Sequence, residues 1–135
     1  MFERDQIRKH TANYYDKHGF GLWATVLKEN DRLIGRCGLL RQHIEDAPEF
    51  EVSYLLDKHF WSRGLATEAA REIVRLGFEK YKFPRIVALI IPEDIASVRV
   101  AEKIAMKYER DVSYKDFGKV AMYVLTAQDF VERAK

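Results

Sequence analysis

The sequence predicts a mixed α/β domain: antiparallel N-terminal strands, then a central parallel strand pair joined by a crossover helix. Three observations carry that prediction. Short alternating apolar segments bounded by turn residues fill the region from Leu22 to Leu56. Ala66, Ala69, Ala70, Ile73, Gly77 and Tyr81 recur at helical spacing, opposite a charged face of Glu68, Arg71, Glu72, Arg75 and Glu79. Then RIVALII, Arg85 to Ile91, offers six consecutive apolar residues, the pattern of a strand covered on both faces. Strand, helix, strand at this spacing implies a parallel pair with a right-handed crossover.

Each element has its own justification. Phe2 to Tyr15 reads as a modest helix, with Ile7, Thr11 and Tyr14 on one side, ended by HGFG. LWATVLK (Leu22 to Lys28), a short END turn and RLIGRCGLLR (Arg32 to Arg41) read as an antiparallel hairpin. Within it, Gly35 and Gly38 predict a bulge or a close backbone approach. A polar loop, QHIEDAP, leads to the strand Glu49 to Leu56. The long helix closes at KFPR, and Glu68–Arg71 and Glu72–Arg75 stand at pairing distance along it. A second helix runs from Asp94 to about Ala105, burying Val98, Ala101, Ile104 and Ala105. Two strands, Tyr108 to Tyr114 and Val120 to Thr126, close the chain through KDFGK.

Composition bounds the function. The 135 residues, 47% hydrophobic and 33% charged, fit one ordinary globular domain spanning 1–135. A formal net charge of +2, with bases and acids interspersed, gives no argument for nucleic acid. No apolar run approaches the roughly 20 residues of a membrane span, and MFERDQIRKH lacks the apolar centre of a signal peptide. The single cysteine, Cys37, builds no disulfide framework, fits a reducing cytoplasm and reads as a small buried residue. His10, His18, His43 and His59 are scattered without metal spacing, so no metal is expected.

The stretch FWSRGLATEAA, Phe60 to Ala70, turns the chain on one glycine into the long helix. Ligands in α/β sheets gather beyond the carboxyl ends of parallel strands, and a helix N-terminus offers unpaired N–H groups to an anion. Gly64 permits a positive φ and close approach of the main chain. Ala66 keeps that approach open, Thr67 adds a hydroxyl and Arg63 a full charge. A glycine needed only for the turn, with alanines there for packing, accounts for the same residues. The stretch is neither a dinucleotide fingerprint nor a Walker loop, since the further glycines and the Gly-Lys-Ser/Thr are missing.

Trp61-Ser-Arg-Gly-Leu-Ala-Thr-Glu-Ala resembles the acetyl-CoA pyrophosphate loop of the GNAT N-acetyltransferases, Gln/Arg-x-x-Gly-x-Gly/Ala. More narrowly, it resembles the branch typified by the ribosomal-protein N-terminal acetyltransferases RimJ and RimL, where tryptophan often takes the first place. In register with it, EVSY (Glu51 to Tyr54) resembles that branch's Glu-Ile-Gly-Tyr strand. PEDIASVRVAEKIAMK (Pro92 to Lys107) resembles its Pro-x-Asn-x-x-Ser segment, and GFGLWATVLKENDRLIGRCGL and AMYVLT its first hairpin and last strand. The resemblance covers nearly the whole chain and implies an acyl-CoA N-acyltransferase-like fold. The sequence departs from the family at Asp94, usually Asn, and at Ala105, usually Gly. It also departs at Ala101, where the family's thiolate-protonating tyrosine falls. Members usually carry a first strand and helix before the Phe2–Tyr15 segment, which predicts an open edge on Leu22–Lys28 and leans toward a homodimer.

What the resemblance implies is specific. Acetyl-CoA would lie where the parallel strands splay, its pyrophosphate on the loop Trp61, Ser62, Arg63, Gly64, Leu65, Ala66 and Thr67. Its pantetheine would run along Leu55 and Leu56, and Asp94 would stand beside it. A primary amine, on a small molecule or a protein N-terminus, would attack directly, with a strand amide near Leu55 facing the oxyanion. The neutral amine needs a base, and Glu51 is the candidate, its alternative being a solvated strand carboxylate or a substrate contact. Ser97 could orient a water or donate a proton, or simply bond the helix backbone. Asp94 could equally cap the helix, and Tyr54 reads as a packing residue near the cofactor. His43 and the acids of QHIEDAPEFE could attract a cationic acceptor. Two other classes stay open at this point: a noncatalytic acyl-CoA-binding or regulatory module, and an incomplete domain that acts through assembly.

Overall fold

The computed structural model describes residues 7–9, 21–26, 32–57, 60 and 64–133. Its strands are β1 (Ile7–Lys9), β2 (Leu22–Val26), β3 (Leu33–Ile44), β4 (Ala47–Leu56), β5 (Arg85–Ile90), β6 (Lys107–Ser113) and β7 (Lys119–Thr126). They form one seven-stranded sheet in the order β1-β2-β3-β4-β5-β7-β6. Helix α1 (Leu65–Glu79) connects β4 to β5, α2 (Ile95–Lys103) connects β5 to β6, and α3 (Ala127–Arg133) follows β7. All neighbouring strands are antiparallel except β4 and β5, the predicted parallel pair.

Two expectations at the N-terminal side are corrected. Residues Ile7–Lys9, inside the segment read as a helix from Phe2 to Tyr15, are a strand; the rest of that segment lies outside the described residues. The edge expected to stand open on Leu22–Lys28 is paired by β1 over Trp23–Thr25. A three-residue match to helical spacing is a weak signal, and ladder hydrogen bonds to a neighbouring strand outweigh it.

The loop expected over QHIEDAP is also shorter. β3 and β4 pair without interruption from Gly35 with Leu56 to Ile44 with Ala47, leaving only Glu45 and Asp46 in the turn. Both have positive φ, 48° and 70°, the two-residue geometry whose twist matches that of the flanking strands. The close approach predicted at Gly35 is found: a Cβ there would lie 2.1 Å from the Leu55 carbonyl oxygen. The register of β2 on β3 also shifts between Thr25 and Val26.

The sheet buries residues on both faces, as the apolar run of β5 requires. Ile86, Ala88 and Ile90 join Leu39, Val52, Ile73, Val74 and Ala101 in the core beneath the helices. Val87 faces the other way, with Ile44, Val112, Val120, Met122 and Val124. α1 buries Ala69, Ala70, Ile73 and Gly77 as expected, and adds Val74 and Phe78. Fully burying an Ile, Val or Phe side chain contributes about 1.5–3 kcal/mol, so this face anchors the helix. On its outer face Arg75 pairs with Glu72 at 2.5 Å and Glu79 at 2.6 Å. The expected Glu68–Arg71 pair gives way to a longer-range one: Arg71 donates to the Lys103 carbonyl at 3.1 Å, where the end of α2 leaves acceptors unpaired.

α2 ends in a left-handed residue, Ala105 at φ 73°. Met106 N–H donates to Ala101 O at 2.9 Å and Ala105 N–H to Glu102 O at 3.0 Å, the bond pair of a Schellman ending. That geometry favours glycine, which explains why alanine at this position is a departure. α3 was not foreseen. It is a short helix of seven residues, capped by Thr126 Oγ1 accepting from Asp129 N–H at 3.1 Å, and it stacks Phe130 on Phe78.

Candidate functional site

β4 and β5 pair at a single position, Glu51 with Val87. Beyond it the strands part, and the N-terminal ends of α1 and α2 flank the gap. The result is a cleft of about 320 Å³ walled by Tyr54, Leu55 and Leu56 of β4, by Phe60, and by Gly64, Leu65, Ala66 and Thr67. Its opposite wall is Asp94, Ala96, Ser97, Arg99, Val100 and Lys103 of α2. Residues separated by up to 49 positions in sequence thus share one cavity because a parallel pair sends both following helices to the same end of the sheet.

At the mouth of α1, Gly64 has φ 76° and ψ 1°, and no side chain caps the helix. A Cβ on Gly64 would meet nothing within 4 Å, so glycine is required here by its backbone angle, and the space before it is open. The first helical bond is Glu68 N–H to Gly64 O at 3.0 Å. The amides of Leu65, Ala66 and Thr67 have no carbonyl of their own helix to reach, and they sit at the positive end of the helix dipole. Trp61, Ser62 and Arg63 lie outside the described residues, so the predicted loop is placed from Gly64 onward.

α2 begins differently. Asp94 is its N-cap, Oδ1 accepting from Ser97 N–H at 3.1 Å and Oδ2 from the Ser97 hydroxyl at 2.7 Å. The capping role weighed for Asp94 is therefore occupied, and the Ser97 hydroxyl directs its proton to that carboxylate. Tyr54 donates its hydroxyl to the Ser97 carbonyl at 2.9 Å, tying β4 to α2. Burial, reinforced by the charges of Asp94 and Glu51, raises the Tyr54 pKa well above the usual phenol value, so it stays neutral and donating. Ala101 is fully buried in the core, pointing away from the cleft wall formed by its neighbours.

Glu51 does not join the cleft. Strand alternation turns it to the opposite face from Val52 and Tyr54, where it is 9% exposed. It is no solvated carboxylate: Oε1 accepts from Gln42 Nε2 at 2.9 Å, and the same nitrogen donates to the Tyr114 hydroxyl oxygen at 2.9 Å. Burial pushes its pKa up from 4.5, while the Gln42 bond and the charge of Lys115 pull it partly back. Two other acids of this region are engaged in structure. Glu49 is held by Arg85 through two bonds, and Glu45 accepts from Arg110 at 2.6 Å and from Ser113 N–H at 3.0 Å.

Leu55, Leu56, Gly64, Leu65, Ala66, Thr67, Asp94 and Ser97 are therefore brought together, and Glu51 sits across the sheet from them. Sequence reasoning missed Arg99 and Lys103, a cation pair one turn apart; their i, i+4 spacing on the helix that carries Ser97 was the available signal. It also missed Gln42 and Tyr114, which only the strand register brings to Glu51. Among the described residues no group of His, Cys, Asp or Glu could hold a metal ion, and no helix is long and apolar enough to cross a membrane.

Comparison with known proteins gives a consistent picture. A family model described as an acetyltransferase (GNAT) domain matches residues 2–107. The chain is similar to the uncharacterized protein YkkB of Bacillus subtilis, 38% identical over 95 residues, covering 70% of this chain and 55% of that one. It spans about half the length of the curated relatives it matches. Among solved structures it is similar to an acetyltransferase from Agrobacterium tumefaciens: 26% identity, TM-score 0.73, covering 86% of this chain and 66% of that one. It shares its fold with a ribosomal-protein-S5-alanine acetyltransferase from Vibrio fischeri: 20% identity, TM-score 0.71, covering 85% and 66%.

Proposed function

The chain belongs to the acetyltransferase (GNAT) family, and on that premise we propose that it moves an acetyl group from acetyl-CoA to a primary amine by direct attack. The observation that carries the reading is the cleft between β4 and β5, closed at one end by the uncapped start of α1. Its donor set suits a diphosphate: amides from Leu65 to Thr67, an open approach over Gly64, and the cations Arg99 and Lys103 on the facing wall. Among the described residues the β5 side of β4 has no ladder partner beyond Glu51, which favours docking of an extended chain such as pantetheine along Tyr54 and Leu55. Bound there, acetyl-CoA supplies the activated thioester.

The chain's own residues then divide the work. Glu51 lies across the sheet from the cleft, so the acceptor would enter from that face, through the gap where β4 and β5 part. There Glu51, buried and with its pKa raised, would take the proton that an ammonium acceptor must lose, directly or through water. A β4 amide near Leu55 serves as the hydrogen-bond donor to the carbonyl under attack. Tyr54 fixes the start of α2 against β4, and Ser97, bonded to Asp94, helps shape the wall beside the thioester. The acceptor we favour is a protein N-terminus, from the likeness to the RimJ/RimL branch at Glu51–Tyr54 and Trp61–Ala69, with small-molecule amines as the alternative class. A single buried cysteine suits work in a reducing cytoplasm.

The test is release of free thiol from acetyl-CoA with a panel of peptides and small amines, beside a thermal-shift titration with the same donor. A raised melting midpoint with amine-dependent thiol release supports transfer. A raised midpoint with no release for any amine overturns it.

A further inference from the structure

Gln42 and Tyr114 belong to no part of the cleft, yet they converge on the one buried carboxylate that the proposed reaction uses. Gln42 sits on β3, two residues from Leu40, the ladder partner of Glu51 on β4, so their side chains stand diagonally on the same face. Tyr114 arrives from the end of β6, far away in sequence. The Gln42 amide nitrogen carries two hydrogens and no lone pair to offer. One hydrogen goes to Glu51 Oε1 and the other to the Tyr114 hydroxyl oxygen, each at 2.9 Å. With both hydrogens committed, the amide plane is fixed and cannot rotate without losing two bonds.

We propose that Gln42 is a positioning residue, its amide clamped between Tyr114 and Glu51 so that the carboxylate is held ionisable and aimed in one direction. This rests on the reading of Glu51 as base. The chemistry favours the charged form: an N–H donor bonds a carboxylate more strongly than it bonds the carbonyl oxygen of the neutral acid. Without it, burial alone would keep Glu51 protonated to a higher pH, and the base would be lost over that added range. Other groups act on Glu51 more weakly or not at all. Lys115 lends positive charge from the turn after β6, and Tyr54 on β4 stays neutral. Glu49, two residues away on the same face, is neutralised by Arg85, and Val87 of β5 is apolar. Gln42 is the hydrogen-bond donor that the structure gives this carboxylate.

The experiment compares the full chain with Gln42→Met, which keeps volume and removes both hydrogens, and with Tyr114→Phe, which removes only the brace. Three quantities are read: the side-chain carbon NMR titration of Glu51, the acid limb of kcat/KM against pH, and coenzyme A affinity. In Gln42→Met the Glu51 titration and the acid limb should move together to higher pH, lowering kcat/KM about tenfold at the foot of the limb. Activity should recover as pH rises, and coenzyme A affinity should not change, since the cleft lies on the other face. Tyr114→Phe should move both in the same direction by less. A folded Gln42→Met whose Glu51 titration stays in place overturns the proposal. A titration that moves while the acid limb does not leaves the clamp standing and removes Glu51 as the base, which is failure of the parent reading.

Discussion

Replacing Gly64 tests the diphosphate placement, and the structure sets the size of the effect. Gly64 holds φ 76°, and a Cβ there meets no protein atom within 4 Å. Gly64→Ala therefore adds backbone strain of about 1 kcal/mol and no internal clash, lowering the melting midpoint of the free protein by about 4 °C. Gly64→Glu carries the same strain and adds a negative charge before the uncapped amides of α1. At a separation of about 5 Å and an effective dielectric constant of about 20, that charge opposes each phosphate charge by roughly 3 kcal/mol, more than a hundredfold in Kd. Calorimetric titration should thus find coenzyme A binding about a hundredfold weaker in Gly64→Glu than in Gly64→Ala, with the gap narrowing as salt is raised. Pantetheine, which has no diphosphate, should bind the two variants alike. Equal coenzyme A affinity in the wild type and a folded Gly64→Glu would refute the placement of phosphate at this helix.

Four further outcomes follow from three other positions. Glu51→Gln should reduce kcat by about a hundredfold or more while leaving coenzyme A affinity within a few-fold, consistent with the usual worth of a general base. In the wild type the acid limb of kcat/KM should fall at a pH above the ordinary carboxylate value of 4.5, because burial raises the Glu51 pKa and the base works only when deprotonated. An acid limb at or below that value, in steady-state assays with an acceptor that titrates elsewhere, would count against it. Ala105→Gly relieves a left-handed alanine at the end of α2 and should raise the melting midpoint by about 4 °C, roughly 1 kcal/mol; no gain in a thermal melt would contradict the strain. Gly35→Ala sets a Cβ 2.1 Å from the Leu55 carbonyl oxygen, so β3 and β4 must separate. Denaturation should report a loss of about 3 kcal/mol, and coenzyme A binding should weaken because Leu55 lines the cleft.

How much could be read in advance depended on the range of the interaction. The long helix, the two-faced strand Arg85–Ile90 and the Gly64 turn were legible because their signals are local: periodicity, an apolar run and a residue tolerant of positive φ. The tight turn at Glu45–Asp46 was missed because neither residue is glycine or asparagine followed by glycine, the usual mark of that geometry. Ile7–Lys9 was misread because its strand character comes from β2, not from its own three residues. α3 escaped because seven residues hold too few repeats of a helical period to stand out. At the site, Asp94 and Ser97 were singled out by the resemblance, with a helix cap weighed for Asp94; the structure joins the two through that cap, a local bond between residues three apart.

From its residue order alone, the chain determined its strand–helix–strand framework, the glycine on which it turns and the residues that enclose the cleft on the β4 and α1 sides. Which face Glu51 takes was also implicit in alternation. Its burial, and its contact with a glutamine nine positions back and a tyrosine much farther on, were decided by tertiary structure. So was the placing of Arg99 and Lys103 in one cleft with the start of α1. The physical reason is that backbone angles and periodicity are set by neighbours within a turn or two, whereas proton affinity and cleft charge depend on groups that only the sheet order brings within hydrogen-bonding or Coulomb range.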